Sequence, residues 1–461
     1  MTDAAVVVVG GTLSALVTAD ALAREGRPVL LLLPARGVGG GFMPVERDGR
    51  RLERGMRVLE LHYEGLGEPP PIEDYRPGDH GHLPWTRLVR DWVGELVGED
   101  ALVEVDPPAM AVNGRDGPEV LLRTDLEPIR ELLDPGELDA IAAEAAEAVA
   151  RLGPAGILDG AHEAELWSTT FEDASLTHHG RTLHERIIAP FCAKIRPEGA
   201  SDVPVALRRR LWVPLFWPGT VHEVASGAQP AFRPQRPLHT IEPGGTGEIV
   251  HRLLARLREH AFVTIRDYER IESLAAAPGG VRLRLAGRGE IVAPRPVLAA
   301  APAELFAAAG IAHEPRRVHS SLAWAEVAED DLLTLPGFVH VVEPSLDAFR
   351  ITPGERHDGS RTVCVELRHD VPEGHVPGAV RRSLEAVGIV REGAAIEPIA
   401  AFAGPTFTAP TAESVRLFEA AQARFAELDL DAIVIGGANV FGADTLNEHV
   451  VQGLATARTL A

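Results

Sequence analysis

The stretch Gly10-Gly11-Thr12-Leu13-Ser14-Ala15 has the clearest chemical capacity in this chain. Glycines before a helix let a ligand approach the backbone. The first N–H groups of that helix, with the positive end of its dipole, favour a phosphate. The spacing G-x-G-x-x-G of a dinucleotide loop falls on Gly10, Thr12 and Ala15. The first glycine is kept, and Ala at the third position is an accepted variant. The middle residue is Thr12, whose side chain is expected where a pyrophosphate should lie close. Gly11 does not replace it in register. The acid that would hold a ribose hydroxyl falls on Leu33 or Pro34, and neither side chain can accept a hydrogen bond. The stretch reads as a nucleotide loop, or as a strand–turn–helix unit without a nucleotide.

Other candidates lie further on. The triplet Gly39 to Gly41, with Arg36 just before it, makes a loop against which a phosphate could pack, or a plain glycine-rich turn. Gly55, in Glu53-Arg-Gly-Met-Arg57, permits a tight approach under a flat ligand. Arg350 is the best candidate for a charge that meets substrate; the alternative is an ion pair at a sheet edge. Trp217 and Phe216 could wall a pocket, with packing between domains as the simpler reading. His80-Gly-His82 and His178-His179 have no third ligand at a recognisable offset, so no metal site is expected. No Gly-x-Ser-x-Gly elbow and no P-loop is present, which disfavours hydrolase and NTPase readings.

These residues need elements to position them. Val6 to Val9 read as a buried parallel strand. Leu16, Ala19, Leu22 and Ala23 recur at helical spacing, and Val29 to Leu33 form a second buried run. Together they predict the opening βαβ of a dinucleotide-binding domain. Asp134-Pro-Gly-Glu137 starts a helix that runs to Leu152. Another helix is expected over 178–194. Ile241-Glu-Pro-Gly-Gly-Thr-Gly247 leads into an amphipathic helix with Ile249, Leu253 and Leu257 on one face. Three short strands follow, 262–266, 281–285 and 290–292, and then the buried run 296–302. Residues 318–370 alternate like antiparallel sheet. Helices are expected at 380–387, 412–428 and 447–460, with a strand at 432–435.

Composition narrows the function classes. At 461 residues two domains are the default. A net charge of −22 argues against nucleic acid or anionic membrane as partner. Two cysteines, Cys192 and Cys364, give no disulfide framework and suit a reducing, cytoplasmic setting. No signal peptide and no run of about 18 or more apolar residues is seen, so no integral membrane association is expected.

The order of parts is specific even where each part is weak. It resembles the FAD-dependent superfamily of amine oxidases, protoporphyrinogen oxidases and UDP-galactopyranose mutases, over nearly the whole chain. The resemblance implies an α/β fold with a discontinuous Rossmann-like FAD domain (residues 1–60, 235–304 and 426–461). It also implies a substrate domain of helices and antiparallel sheet (61–234 and 305–425). It places Gly10, Gly11, Thr12, Ser14 and Ala15 around the FAD pyrophosphate, flanked by Arg36, Gly39 and Gly40. Gly55 and Arg57 would lie near the flavin ring, and the backbone of Tyr268 near the adenine. Pro302 would close its strand. Gly436 would form the C-terminal turn, and Asn447 would approach the ribityl chain or pyrophosphate. Phe349-Arg-Ile351 and Val365-Glu366 are similar to strand pairs of the mutase branch, where an arginine holds an anionic substrate or faces the flavin edge.

The departures are the middle glycine, the ribose acid, Gly437 at the turn, and Thr445-Leu446-Asn447 in place of Asn-Met-Asp. The implied activity is oxidation of a small organic substrate, with a redox-neutral sugar isomerisation as a variant. The alternative is the same fold with a degenerate cofactor site, acting as a binding or partner protein. Whether Thr12, Leu33 and Gly437 leave a groove open separates the two.

Overall fold

The computed structural model describes residues 5–61, 68–76, 83–158, 163–231, 233 and 237–460. The chain opens with β1 (Val6–Val9), α1 (Leu13–Arg24) and β2 (Val29–Pro34). A hairpin follows, β3 (Ala109–Val112) and β4 (Arg115–Pro118), and then α2 (Pro135–Leu152). Next come α3 (Gly247–Glu259), β5 (Val263–Tyr268) and β6 (Val297–Leu298). The strands β7 (Arg317–Ala328), β8 (Val339–Val341), β9 (Ala348–His357) and β10 (Ser360–Leu367) precede α4 (Val376–Ala386). The chain closes with β11 (Ile396–Thr408), β12 (Ile433–Val434) and α5 (Leu446–Leu460).

Two sheets carry the architecture. The first is five-stranded and parallel, in the order β5-β2-β1-β6-β12. Its strands come from the beginning, the middle and the end of the chain, as the discontinuous scheme implies. β1 consists of four valines, and β-branched side chains buried on both faces suit a central parallel strand. α1 and α5 pack closely against each other. A Cβ on Gly453 would stand 2.7 Å from Val17 Cβ, so only glycine permits this approach. α3 buries Ile249, Val250, Leu253 and Leu257, its predicted face.

The second sheet has seven strands, in the order β11-β7-β10-β9-β8-β3-β4. All its pairs are antiparallel except β8 with β3. The hairpin β3–β4 falls in a stretch expected to be mostly helical. Its alternation is short, and the pairing that fixes it is made with β8, more than 200 residues away. A further strand, Ile271–Ala277, was not expected; its Ala-rich sequence has little strand propensity and is held by pairing with Gly280–Leu285. α2 forms as predicted, with the Glu137 carboxylate accepting the Asp134 N–H at 2.9 Å. The helix expected over 178–194 begins earlier, at Phe171. It kinks at Gly180 (φ 80°) and passes through a wider π turn at His184–Ile188 before ending at Ile195. Among the described residues no helix is long and apolar enough to cross a membrane.

Candidate functional site

At the mouth of α1 the glycines answer to the protein itself. Gly10 has φ 132°, and a Cβ there would lie 2.1 Å from the Ala299 carbonyl oxygen beyond β6. A Cβ on Gly11 would lie 2.7 Å from Pro34 Cγ. Thr12 is the N-cap of α1, with Oγ1 accepting the Ala15 N–H. The same hydroxyl donates to the Ala299 carbonyl at 2.9 Å and lies 2.9 Å from the buried Ser14 Oγ. The Thr12 hydroxyl turns toward the end of β6. The N–H groups of Leu13 and Ser14 have no intrahelical acceptor and point out of the helix start. Leu33 is a core residue at 4% exposure, so no acid replaces it there.

The glycine loop closes over this helix. The Gly39 N–H donates to the Gly11 carbonyl at 2.7 Å, and a Cβ on Gly39 would clash with Val250 of α3. Gly40 (φ 56°) and Gly41 face open space, and Arg36 is exposed on the rim. Arg57 reaches this loop: one guanidinium nitrogen donates to the Gly41 carbonyl at 2.9 Å and the other to its neighbour Met56 at 3.0 Å. Its Nε has no hydrogen-bond partner, although Glu53 lies 3.9 Å away. Burial lowers the Arg57 pKa, against the pull of Glu53 and Glu366.

Gly55 lies against the seven-stranded sheet. It has φ 78°, and a Cβ there would stand 2.7 Å from the Glu366 carboxyl group. Glu366, on β10, accepts from Arg350 Nε and Nη2, the latter at 2.7 Å, and from the Met56 N–H at 3.3 Å. Arg350 and Glu366 are both almost fully buried, in neighbouring central strands. The ion pair foreseen for Arg350 is therefore present, but not at a sheet edge. Arg350 Nη1 is left without a partner. The guanidinium stacks 4.1 Å from the ring centre of Trp212. Trp212 has φ 56°, a left-handed conformation that a bulky residue rarely adopts.

The C-terminal turn completes the line. Gly436 (φ 76°) donates its N–H to Gln452 Oε1 at 2.8 Å, and a Cβ there would come within 3.2 Å of Ser14 Oγ. Around Gly437 a Cβ would meet Asp444 and Pro302 at ordinary contact distance. Asn447 is buried and donates to the Glu60 carbonyl at 2.7 Å, which ties α5 to the short strand Leu59–Glu60. His449 packs edge-on against Phe42, and its buried Nδ1 has no partner. Burial lowers the His449 pKa and favours neutral imidazole.

Contacts thus run from Gly436 through Ser14 and Thr12, and from Gly11 through Gly39 and Arg57 to Gly55, Glu366 and Arg350. Tyr268 stands apart from this line, and Pro302 lies beside Gly437 at its C-terminal end. The Tyr268 carbonyl accepts the Ala35 N–H at 2.7 Å, and its buried hydroxyl has no partner. Pro302 begins a short helix. Trp217 caps another helix at 40% exposure, and Trp212, not Trp217, meets Arg350. Phe216 is core, its N–H held by His179. His449 gave no sequence signal, because burial is tertiary. His80 and His82 lie outside the described residues; among those described, no group of three or more His, Cys, Asp or Glu could hold a metal.

A family model described as an NAD(P)-binding Rossmann-like domain matches residues 8–66. Solved structures align over the whole chain. A reduced UDP-galactopyranose mutase is 13% identical, with TM-score 0.70, covering 100% of this chain and 94% of that one. A protein described as a protoporphyrinogen oxidase from Exiguobacterium sp. 255-15 is 15% identical, with TM-score 0.61, covering 100% and 99%. A putrescine oxidase bound to putrescine is 14% identical, with TM-score 0.59, covering 99% and 98%. The chain has the amine oxidase-like fold. A search of curated proteins found no sequence match.

The residues of this amine oxidase-like chain fit an anionic dinucleotide along most of its length. The helix start offers N–H groups, and Arg57 Nε, Arg350 Nη1 and His449 Nδ1 are buried atoms without a hydrogen bond to the protein, although Arg57 Nε lies 3.9 Å from Glu53. Such groups are costly unless something pairs with them. The fit fails at the ribose end, where Leu33 and Pro34 stand.

Proposed function

We propose that this chain is an FAD-dependent oxidoreductase of the amine oxidase and protoporphyrinogen oxidase type, acting on a small organic substrate. Residues 1–60, 235–304 and 426–461 hold the cofactor, and 61–234 and 305–425 hold the substrate. The observation that carries this reading is the N–H groups at the α1 start together with the buried Arg57 Nε and Arg350 Nη1, which make no hydrogen bond to the protein. FAD, when bound, supplies hydride chemistry, which leaves the protein to position and to set the electrostatics. Leu13 and Ser14 offer N–H groups to the pyrophosphate. Arg57 places positive charge beside Gly55. Arg350, braced by Glu366 and Trp212, presents Nη1 to an acidic group on the substrate. The mutase variant rests on the same Arg350 and on the similarity to the mutase fold.

A second reading has observations of its own. Leu33 and Pro34 cannot hold a ribose, and Asn447 is already bound to Glu60. These favour a binding or partner protein on a degenerate site. The visible absorption spectrum of the purified protein, with mass spectrometry of what heat releases, decides between them. A flavin spectrum with FAD near one per chain supports the oxidoreductase. A protein that stays colourless after incubation with excess FAD overturns it.

A further inference from the structure

The centre of the seven-stranded sheet has two unlike faces. One is apolar: Val339, Ile351 and Val365 pack with Val380 and Leu384 of α4. The other carries His340, Arg350 and Glu366, set side by side by the register of β8, β9 and β10. All three are buried. Side chains alternate along a strand, so Thr352 and Thr362 share this face. Here His340 Nε2, Arg350 Nη1, Thr352 Oγ1 and Thr362 Oγ1 make no hydrogen bond to the protein. Buried polar atoms of this kind are costly unless a ligand or water pairs with them.

His340 is firmly held in this row. Its Nδ1 donates to Glu119 Oε1 at 2.9 Å. Glu119 is itself fixed by the N–H groups of Leu121, Leu122 and Arg123. Phe191 and Phe338 pack on the imidazole, each ring centre 4.9 Å away. Phe338 belongs to the apolar cluster that Trp212 joins, and Trp212 covers Arg350. Burial lowers the His340 pKa, against the pull of Glu119, and favours the neutral ring. A neutral ring that donates from Nδ1 offers Nε2 only as an acceptor, whereas Arg350 Nη1 beside it can only donate. We propose that His340 is a second substrate-contacting residue beside Arg350, and that the substrate is an anion with a hydroxyl or amine next to its acidic group. The acid meets Arg350, and the hydroxyl or amine donates to Nε2. Paired residues of neighbouring strands stand about 5 Å apart, which sets the spacing of the two groups. A plain acid would satisfy Nη1 and leave Nε2 bare. The inference rests on the role of Arg350 proposed above.

The test uses two probe acids of nearly equal volume, α-hydroxyisobutyrate and pivalate. Neither has a hydrogen on the α-carbon, so neither is oxidised there. Titration calorimetry of the full chain as purified should find the hydroxy acid bound about tenfold more tightly, the worth of one hydrogen bond. His340→Phe should abolish that preference and leave the pivalate affinity unchanged. In the wild-type chain, which does not depend on a variant folding, the nitrogen-15 signal of His340 Nε2 should move on adding α-hydroxyisobutyrate and stay in place with pivalate. Arg350→Met with Glu366→Leu should lose both acids. Equal wild-type affinity for the two acids, or a preference that His340→Phe keeps, overturns the inference and leaves the role of Arg350 standing. Failure of either acid to bind, or binding that the double variant retains, overturns that role and the inference with it.

Discussion

Glu366 is the residue whose replacement tests the site most directly. Its carboxylate is 8% exposed and binds an Arg350 guanidinium that is 3% exposed. It also accepts the Met56 N–H and fills the space that Gly55 leaves. Glu366→Ala removes all three contacts and leaves a buried cation whose one remaining neighbour of note is the Trp212 face. Removing one partner of a buried pair costs about 3–5 kcal/mol, whereas exchanging both for apolar residues of similar volume is near neutral. The double variant Arg350→Met with Glu366→Leu should therefore recover most of the stability lost in Glu366→Ala. Urea unfolding followed by tryptophan fluorescence measures all the variants, and Trp212 serves as a local reporter. The double variant should fold yet lose affinity for anionic substrate analogues, which separates the structural role of the pair from the proposed role of Arg350. A Glu366→Ala cost below about 1 kcal/mol would refute the reasoning, because the charge would then be reached by water. A double variant as unstable as the sum of the two singles would refute it too.

The missing ribose acid gives a second prediction. Pro34→Glu restores an acceptor at the end of β2 and should tighten FAD binding, read by fluorescence quenching, by about tenfold for one good hydrogen bond to a charged group; unchanged affinity would mean that the ribose lies elsewhere. Thr12→Ala should cost about 1 kcal/mol of stability by uncapping α1, measured by urea unfolding, while Thr12→Gly should cost less and leave FAD affinity equal or better. Glu119 provides a pH test. Its buried carboxylate is penalised by desolvation, but the hydrogen bond from His340 at 2.9 Å and N–H groups of Leu121, Leu122 and Arg123 outweigh this and lower its pKa. A carboxylate lowered in the folded state adds stability above its unfolded pKa and loses it as pH falls through the folded value. Glu119→Gln should therefore flatten the loss of stability below about pH 4.5, seen as melting temperature against pH; an unchanged acid limb would mean that folding does not lower the Glu119 pKa.

Local sequence carried the parallel core and its start. Four valines, two glycines and a helical repeat allow little but strand, turn and helix, and Asp134-Pro-Gly-Glu137 carries its own cap. The order of such parts was enough to indicate the fold. Local sequence could not say where Thr12 points. Its hydroxyl donates to the Ala299 carbonyl, 287 residues away. Nor could it link Gly55 to Glu366 or set Trp212 on Arg350, since these contacts join segments far apart in the chain. Arg350 and Glu366 stood out in the sequence as separate strand residues, and the antiparallel register of β9 and β10 made them a pair. Short-range chemistry sets elements and caps, because its partners lie within a turn or two. Burial and charge pairing define the site, and they depend on strands that meet across hundreds of residues.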